Sequence, residues 1–207
     1  AGLLADRQEH HLTNQEAETK AVRVSDASTD RETKNNEERK QDEEDRRQEG
    51  LRNRLQCPSL YLRPSVEEML AMSDSELAQV HNLVVTSKDG SVELEWKTST
   101  DMRNVDLGKS VSVGTNQTTG MPYWFLYRGE EAESLELHPP PAHGSGLNKE
   151  VCVSLIMPEN FRSKNDEARG EKKRQKCRRT VEKSGYEFRS FDPVSGKLTF
   201  FAKNPCE

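Results

Sequence analysis

Residues 1 to 50 contain no aromatic residue, no proline and no cysteine. A segment so poor in large apolar groups cannot offset the entropy of ordering its backbone, so no core is expected there. It holds 14 acidic and 9 basic residues, and the remainder of the chain holds 22 of each, so the whole net charge of −5 lies in this segment. A global excess of positive charge is therefore lacking, which removes the bulk electrostatic argument for nucleic-acid binding. The four cysteines, Cys57, Cys152, Cys177 and Cys206, are scattered without CxxC or Cys/His spacing. That pattern excludes a zinc motif and a disulfide framework and fits reduced thiols in an intracellular protein. No apolar run approaches the roughly 18 residues of a membrane span, and no signal-peptide core is present. The five histidines fall in no catalytic or metal-binding signature, and Gly144-Ser145-Gly146 precedes a strand where a phosphate cradle would precede a helix. No cofactor and no metal are expected, and the first residue, Ala1, suggests a piece of something longer.

Residues 34 to 50 are strong helix formers with opposite charges at spacings of three and four, as in Glu43 and Arg47, but no apolar stripe accompanies them. A solvated linker, partly helical at most, is expected over residues 1–54, with order beginning near Leu55. Pro64-Ser65 and the Ser73/Glu76 pair mark two short helix starts. From Asn82 the period changes to two. Leu83-Val84-Val85, the turn Lys88-Asp89-Gly90 and the alternating Val92, Leu94 and Trp96 read as a hairpin. A short strand or turn is predicted near Val105–Val113 and further strands near Tyr123–Tyr127 and Val151–Leu155, with Pro139-Pro140-Pro141 in a stiff surface loop. Glu167 to Ser184 reads as a helix stopped by Gly185, and Tyr186–Phe191 and Leu198–Ala202 as a closing hairpin. The fold class is α+β: about six short antiparallel strands flanked by helices, over residues 55–207. Its core is expected to include Leu83, Val85, Leu94, Trp96, Phe125, Val153, Leu155, Phe188 and Phe200.

One charged cluster stands apart. The long helix carries Arg169, Lys172, Lys173, Arg174, Lys176, Arg178, Arg179 and Lys183, with Glu167, Glu171 and Glu182 interspersed. Three readings stay open: a solvated face, an import or protein-contact surface, and a site for RNA phosphates that lacks an aromatic platform.

The order of these features resembles a known family. Tyr61, the run Pro64-Ser65-Val66-Glu67-Glu68-Met69-Leu70, Gly90-Ser91-Val92, Val105-Asp106-Leu107 and Gly144-Ser145-Gly146-Leu147-Asn148 are similar to the autoproteolytic C-terminal domain of FG nucleoporins. Phe188, Phe191, Pro193, Gly196 and Phe200 resemble its closing hairpin, and the likeness runs over roughly residues 57 to 203. The resemblance implies a sheet of about six strands and a structural role in the nuclear pore complex. It also implies scaffold nucleoporins as partners and transport factors bound through FG repeats upstream, while the lack of a long apolar run gives the expectation of no membrane insertion. In the family the last strand runs into histidine, phenylalanine and serine, and the serine hydroxyl attacks the preceding carbonyl so that the chain cuts itself. Asn204, Pro205 and Cys206 occupy those positions. A carboxamide has no basic nitrogen near neutral pH, and the proline removes a backbone donor, so a disabled site is expected. The alternative is an active site that uses the Cys206 thiol as nucleophile.

Overall fold

The computed structural model describes residues 39–127, 139–163 and 166–206. A first helix, α1 (39–55), is built from strong helix formers and carries a Gln41 to Asp45 hydrogen bond and a Glu44–Arg47 ion pair, each 2.9 Å. Its last turn is different. Leu51 and Leu55, four residues apart on one face, are both buried in the core, and the compact unit that carries the sheet runs from Gly50 onward. The core therefore begins at Leu51, ahead of the expected start at Leu55. The rest of residues 1–50 that was expected to lie outside the core falls partly outside the described residues; within 39–50 the side chains are exposed or half-buried.

Strand β1 (Leu60–Arg63) leads into two short helices, α2 (Val66–Leu70) and α3 (Asp74–Leu77). Both start on a reciprocal capping box, Ser65 with Glu68 and Ser73 with Glu76, as the serine-to-glutamate spacing predicts. They bury Met69, Leu70 and Leu77. Strands β2 (Leu83–Ser87) and β3 (Val92–Trp96) form the expected hairpin. Strand β6 (Val151–Ile156) pairs with β3, and the C-terminal strands β7 (Glu187–Phe191) and β8 (Lys197–Ala202) complete a six-stranded antiparallel sheet in the order β1-β2-β3-β6-β8-β7. Leu83, Val85, Leu94, Trp96, Val153, Leu155 and Phe200 all lie in one core, as alternation predicts.

Three expectations change in detail. The stretch Val105–Val113 is a one-turn helix, α4 (Leu107–Ser110), followed by β4 (Val111–Thr115); β4 pairs with β5 (Pro122–Leu126) in a separate two-stranded sheet. Phe125 is 45% exposed rather than core. Leu126 and Trp124 are opposite Val111 and Val113 and turn inward, so the residue between them must point out. Three consecutive aromatics, Tyr123, Trp124 and Phe125, hide that alternation in the sequence. Phe188 is half-buried, packed against the core rather than inside it.

The long helix, α5 (Glu167–Lys183), buries Gly170, Cys177 and Val181 along one face. Gly170 is needed for close approach, since a Cβ there would stand 3.1 Å from the Pro193 ring. Gly185, with φ +79°, ends the helix as expected, and the Tyr186 amide donates to the Val181 carbonyl at 3.1 Å.

Candidate functional site

Strand β8 aims the chain terminus. Its inward residues Leu198, Phe200 and Ala202 are buried, and it is held on both sides, by β6 and by β7. The hairpin before it is set by Asp192, whose carboxylate accepts from the Val194 amide at 2.9 Å and the Ser195 amide at 3.2 Å. Gly196 has φ +77°, and a Cβ there would lie 2.9 Å from the Met157 carbonyl, so only glycine fits. Past Ala202 the backbone leaves the sheet. Lys203 and Asn204 are exposed, Pro205 and Cys206 are half-buried, and Cys206 packs against the core.

The loop 139–150 meets this tail. His143 Nε2 lies 3.1 Å from the Lys203 carbonyl oxygen. A carbonyl only accepts, so Nε2 carries the proton in this contact and is the donor. The loop itself is fixed by Asn148, whose side-chain amide donates to the Pro141 carbonyl at 2.7 Å and whose own carbonyl accepts from the Gly144 amide at 2.7 Å. The buried indole of Trp96 donates to the Leu147 carbonyl at 3.2 Å, and the Leu147 amide donates to the Tyr127 hydroxyl at 3.4 Å. Burial pushes the Tyr127 phenol upward, against the lowering effect of the Leu147 amide, and neighbouring Cys206 adds to the rise. Tyr127 is held in the left-handed region, φ +54°, with its amide bonded to the Ser110 carbonyl at 2.8 Å. It lines an open cleft of about 440 Å³ together with Asp106, Ser110, Pro139, Pro141 and Gly146.

Asn204 and Pro205 line a second groove, of about 610 Å³, with Tyr123, Trp124, Phe125 and Tyr186. Of these, Trp124 and Tyr186 pack on each other and on the buried Phe200 ring, with centroids 5.3 to 6.2 Å apart. The chemistry at the tail is thus a thiol at 206, a carboxamide at 204 and one imidazole, His143, engaged with the backbone. Sequence reasoning named Asn204, Pro205 and Cys206 but missed His143 and Tyr127. Their place beside the tail depends on contacts across 60 residues for His143, which no local pattern encodes.

The eight basic residues of α5 do not act as one cluster. Lys173 donates to the Asn160 and Arg162 carbonyls, and Arg174 to the Phe191 carbonyl at 3.2 Å while pairing with Glu171. The Arg178 guanidinium sits 5.0 Å from the Phe188 ring centroid. These three tie the helix to the fold. Arg169, Lys172, Lys176, Arg179 and Lys183 are exposed, and Lys176 alone of these has a ring contact, 5.8 Å from the Phe161 centroid.

The fold has known relatives. The chain is 27% identical over 160 residues to the nuclear pore complex protein NUP98A of Arabidopsis thaliana, covering 73% of this chain and 14% of that protein. Among solved structures, it is similar to a Chaetomium thermophilum Nup145N APD mutant fused to Nup145C N, with a TM-score of 0.55 and 18% identity over 70% of this chain and 94% of that one. It is also similar to a chain of the yeast heterotrimeric Nup82-Nup159-Nup116 nucleoporin complex, with a TM-score of 0.54 and 17% identity over 73% and 100% of the two chains. Residues 58–203 match the family described as Nucleoporin2, Nup98-96 autopeptidase S59, a span that runs from the start of the six-stranded sheet to the end of its last-made strand, and the chain belongs to that nucleoporin family.

Proposed function

We propose that the compact unit from Gly50 onward anchors this chain to scaffold nucleoporins of the nuclear pore complex, with the charged residues ahead of it as a linker to an FG-repeat portion that binds transport factors. The observation that carries the reading is the family match over 58–203, which takes in every strand of the main sheet. The chain spans 14% of the length of its Arabidopsis relative, a proportion suited to one docking module of a longer chain. A Nup116 chain in complex with Nup82 and Nup159 gives a precedent for partners that are themselves nucleoporins. The contact surface is the sheet edge beside the C-terminal strand. That edge is β7, which has β8 as its one strand partner among the described residues and can accept an extended segment of the partner by β-augmentation. The 1–207 chain fused to a fluorescent reporter is expected to mark the nuclear rim and to copurify scaffold nucleoporins, whereas residues 1–49 are not. Diffuse fluorescence with no pore protein recovered refutes the anchoring role.

The domain keeps this docking role without cutting itself. Asn204 offers no proton acceptor of imidazole strength, and Pro205 confines Asn204 to extended geometry and contributes no backbone donor. The nearby imidazole of His143 presents a donor to the Lys203 carbonyl, so its Nε2 is not available to take the Cys206 proton. A chain extended by ten or more native residues beyond Glu207 is expected to give a single uncut species by intact mass. A product that ends at Pro205 and disappears in Cys206→Ala overturns this.

A further inference from the structure

The six-stranded sheet has a second open edge, which the anchoring contact at β7 leaves unused. It is β1, whose one strand partner among the described residues is β2. The Lys88 amide donates to the Ser59 carbonyl at 2.9 Å, and in an antiparallel ladder this turns the backbone groups of residues 59, 61 and 63 toward β2 and those of Leu60 and Leu62 outward. The Leu60 amide is taken by the Cys57 carbonyl at 3.1 Å, whereas the Leu60 carbonyl and both backbone groups of Leu62 meet no partner among the described residues. Beside this edge lies an open groove of about 360 Å³, bounded by β1, the last turn of α1 and the start of α2. Its apolar lining comes from Leu55, Leu60, Leu62 and Val66, and Tyr61, 60% exposed, stands at its rim. Three exposed cations surround it: Arg52 and Lys88 line the groove and Arg63 ends β1. None of the three pairs with a carboxylate among the described residues, and Glu67 is the one acidic residue in the lining.

From this arrangement we infer that β1 pairs with an extended protein segment in which apolar residues alternate with acidic ones. Each observation fixes one property of the occupant. The unpartnered backbone groups on a strand edge select a peptide backbone in β conformation. The apolar lining selects apolar side chains at every second residue, since alternate residues of an added strand face the same side. The unpaired cations select carboxylates on the residues between, and those carboxylates also discriminate against neutral and basic segments. Four residues of β1 at about 3.3 Å each give a contact about 13 Å long, so a short segment suffices. A second copy of this chain fits less well, because pairing through its own β1 brings the same cations together.

The test uses the 1–207 chain and a fluorescein-labelled peptide of about seven residues in which glutamate and valine alternate, with binding read by anisotropy at about 50 mM salt. Saturable binding is expected, together with new hydrogen-exchange protection of the Leu62 amide by NMR. The charge-reversed chain Arg52→Glu, Arg63→Glu, Lys88→Glu should bind about 10-fold more weakly, and a peptide with lysine in place of glutamate should bind the parent chain as weakly. Reversing three exposed cations elsewhere, by Lys172→Glu, Arg179→Glu and Lys183→Glu, should change affinity less than about 3-fold. Two N-methylated peptides, one methylated on its glutamate amides and one on its valine amides, should separate: the form whose β1-facing amides are blocked loses binding about 10-fold, and the other keeps it. No binding, equal losses in the two charge-reversed chains, or equal behaviour of the two N-methylated peptides overturns the proposal. A parent chain that sediments as a dimer, and as a monomer once Arg52, Arg63 and Lys88 are reversed, also overturns it and assigns the edge to a second copy. None of the three reversed positions lies on β7, so a failure here leaves the anchoring role standing.

Discussion

At the scale of single residues, Asp89 shows how one side chain joins two parts of the fold. Its carboxylate accepts from the Ser87 hydroxyl at 2.6 Å, the Ser91 amide and hydroxyl at 2.9 and 2.7 Å, and the Thr115 hydroxyl at 2.8 Å. The first three shape the β2–β3 turn, and the fourth fastens the end of β4 to it. Partial burial alone would raise this carboxyl, but the donors outweigh it and hold the group far below the usual carboxylate range. A group with a lowered folded pKa contributes its full stability above the unfolded value of about 3.9, and loses it as pH falls through the folded value. Asp89→Asn is therefore expected to be less stable than the parent chain at pH 7, with the gap closing below about pH 4. Urea midpoints at pH 7, 4 and 2.5 check this, and a gap that stays constant with pH contradicts it. The turn itself was legible as Lys88-Asp89-Gly90. The Thr115 contact was not, because it reaches 26 residues along the chain.

At the scale of elements, the sequence spoke most clearly where period and caps agreed. The two Ser-to-Glu boxes, the β2–β3 alternation and the Gly185 stop of α5 stand where their patterns put them. Helix α1 was harder, since an apolar pair at Leu51 and Leu55 is too short to read as a stripe within so charged a run. The pair nonetheless makes the helix end a part of the core. Leu51→Ala and Leu55→Ala are each expected to destabilise the chain by about 2 to 4 kcal/mol, against less than about 0.5 kcal/mol for Asp42→Ala on the exposed face. Chemical denaturation followed by Trp fluorescence distinguishes them. Equally small effects from all three would mean that the last turn of α1 adds nothing to the core. Strand β5 was legible but its inner face was not: in a run of three aromatics apolarity no longer marks that face, and only the pairing with β4 decides that Phe125 faces outward.

At the scale of the whole molecule, the sheet order was beyond local reading. Alternation identifies strands but does not say that β6 lies between β3 and β8, a neighbourhood made across more than forty residues. The same arrangement governs how the protein comes off the ribosome. The strand that is synthesised last, β8, is an interior strand; it covers one side of β6 and is the one strand partner of β7 among the described residues. A nascent chain that has not yet delivered Lys197–Ala202 presents β6 as a bare edge and leaves β7 with nothing to pair with. The main sheet therefore closes only when translation has passed the end of β8, and until then the chain carries an unpaired strand edge of the kind that promotes misassociation.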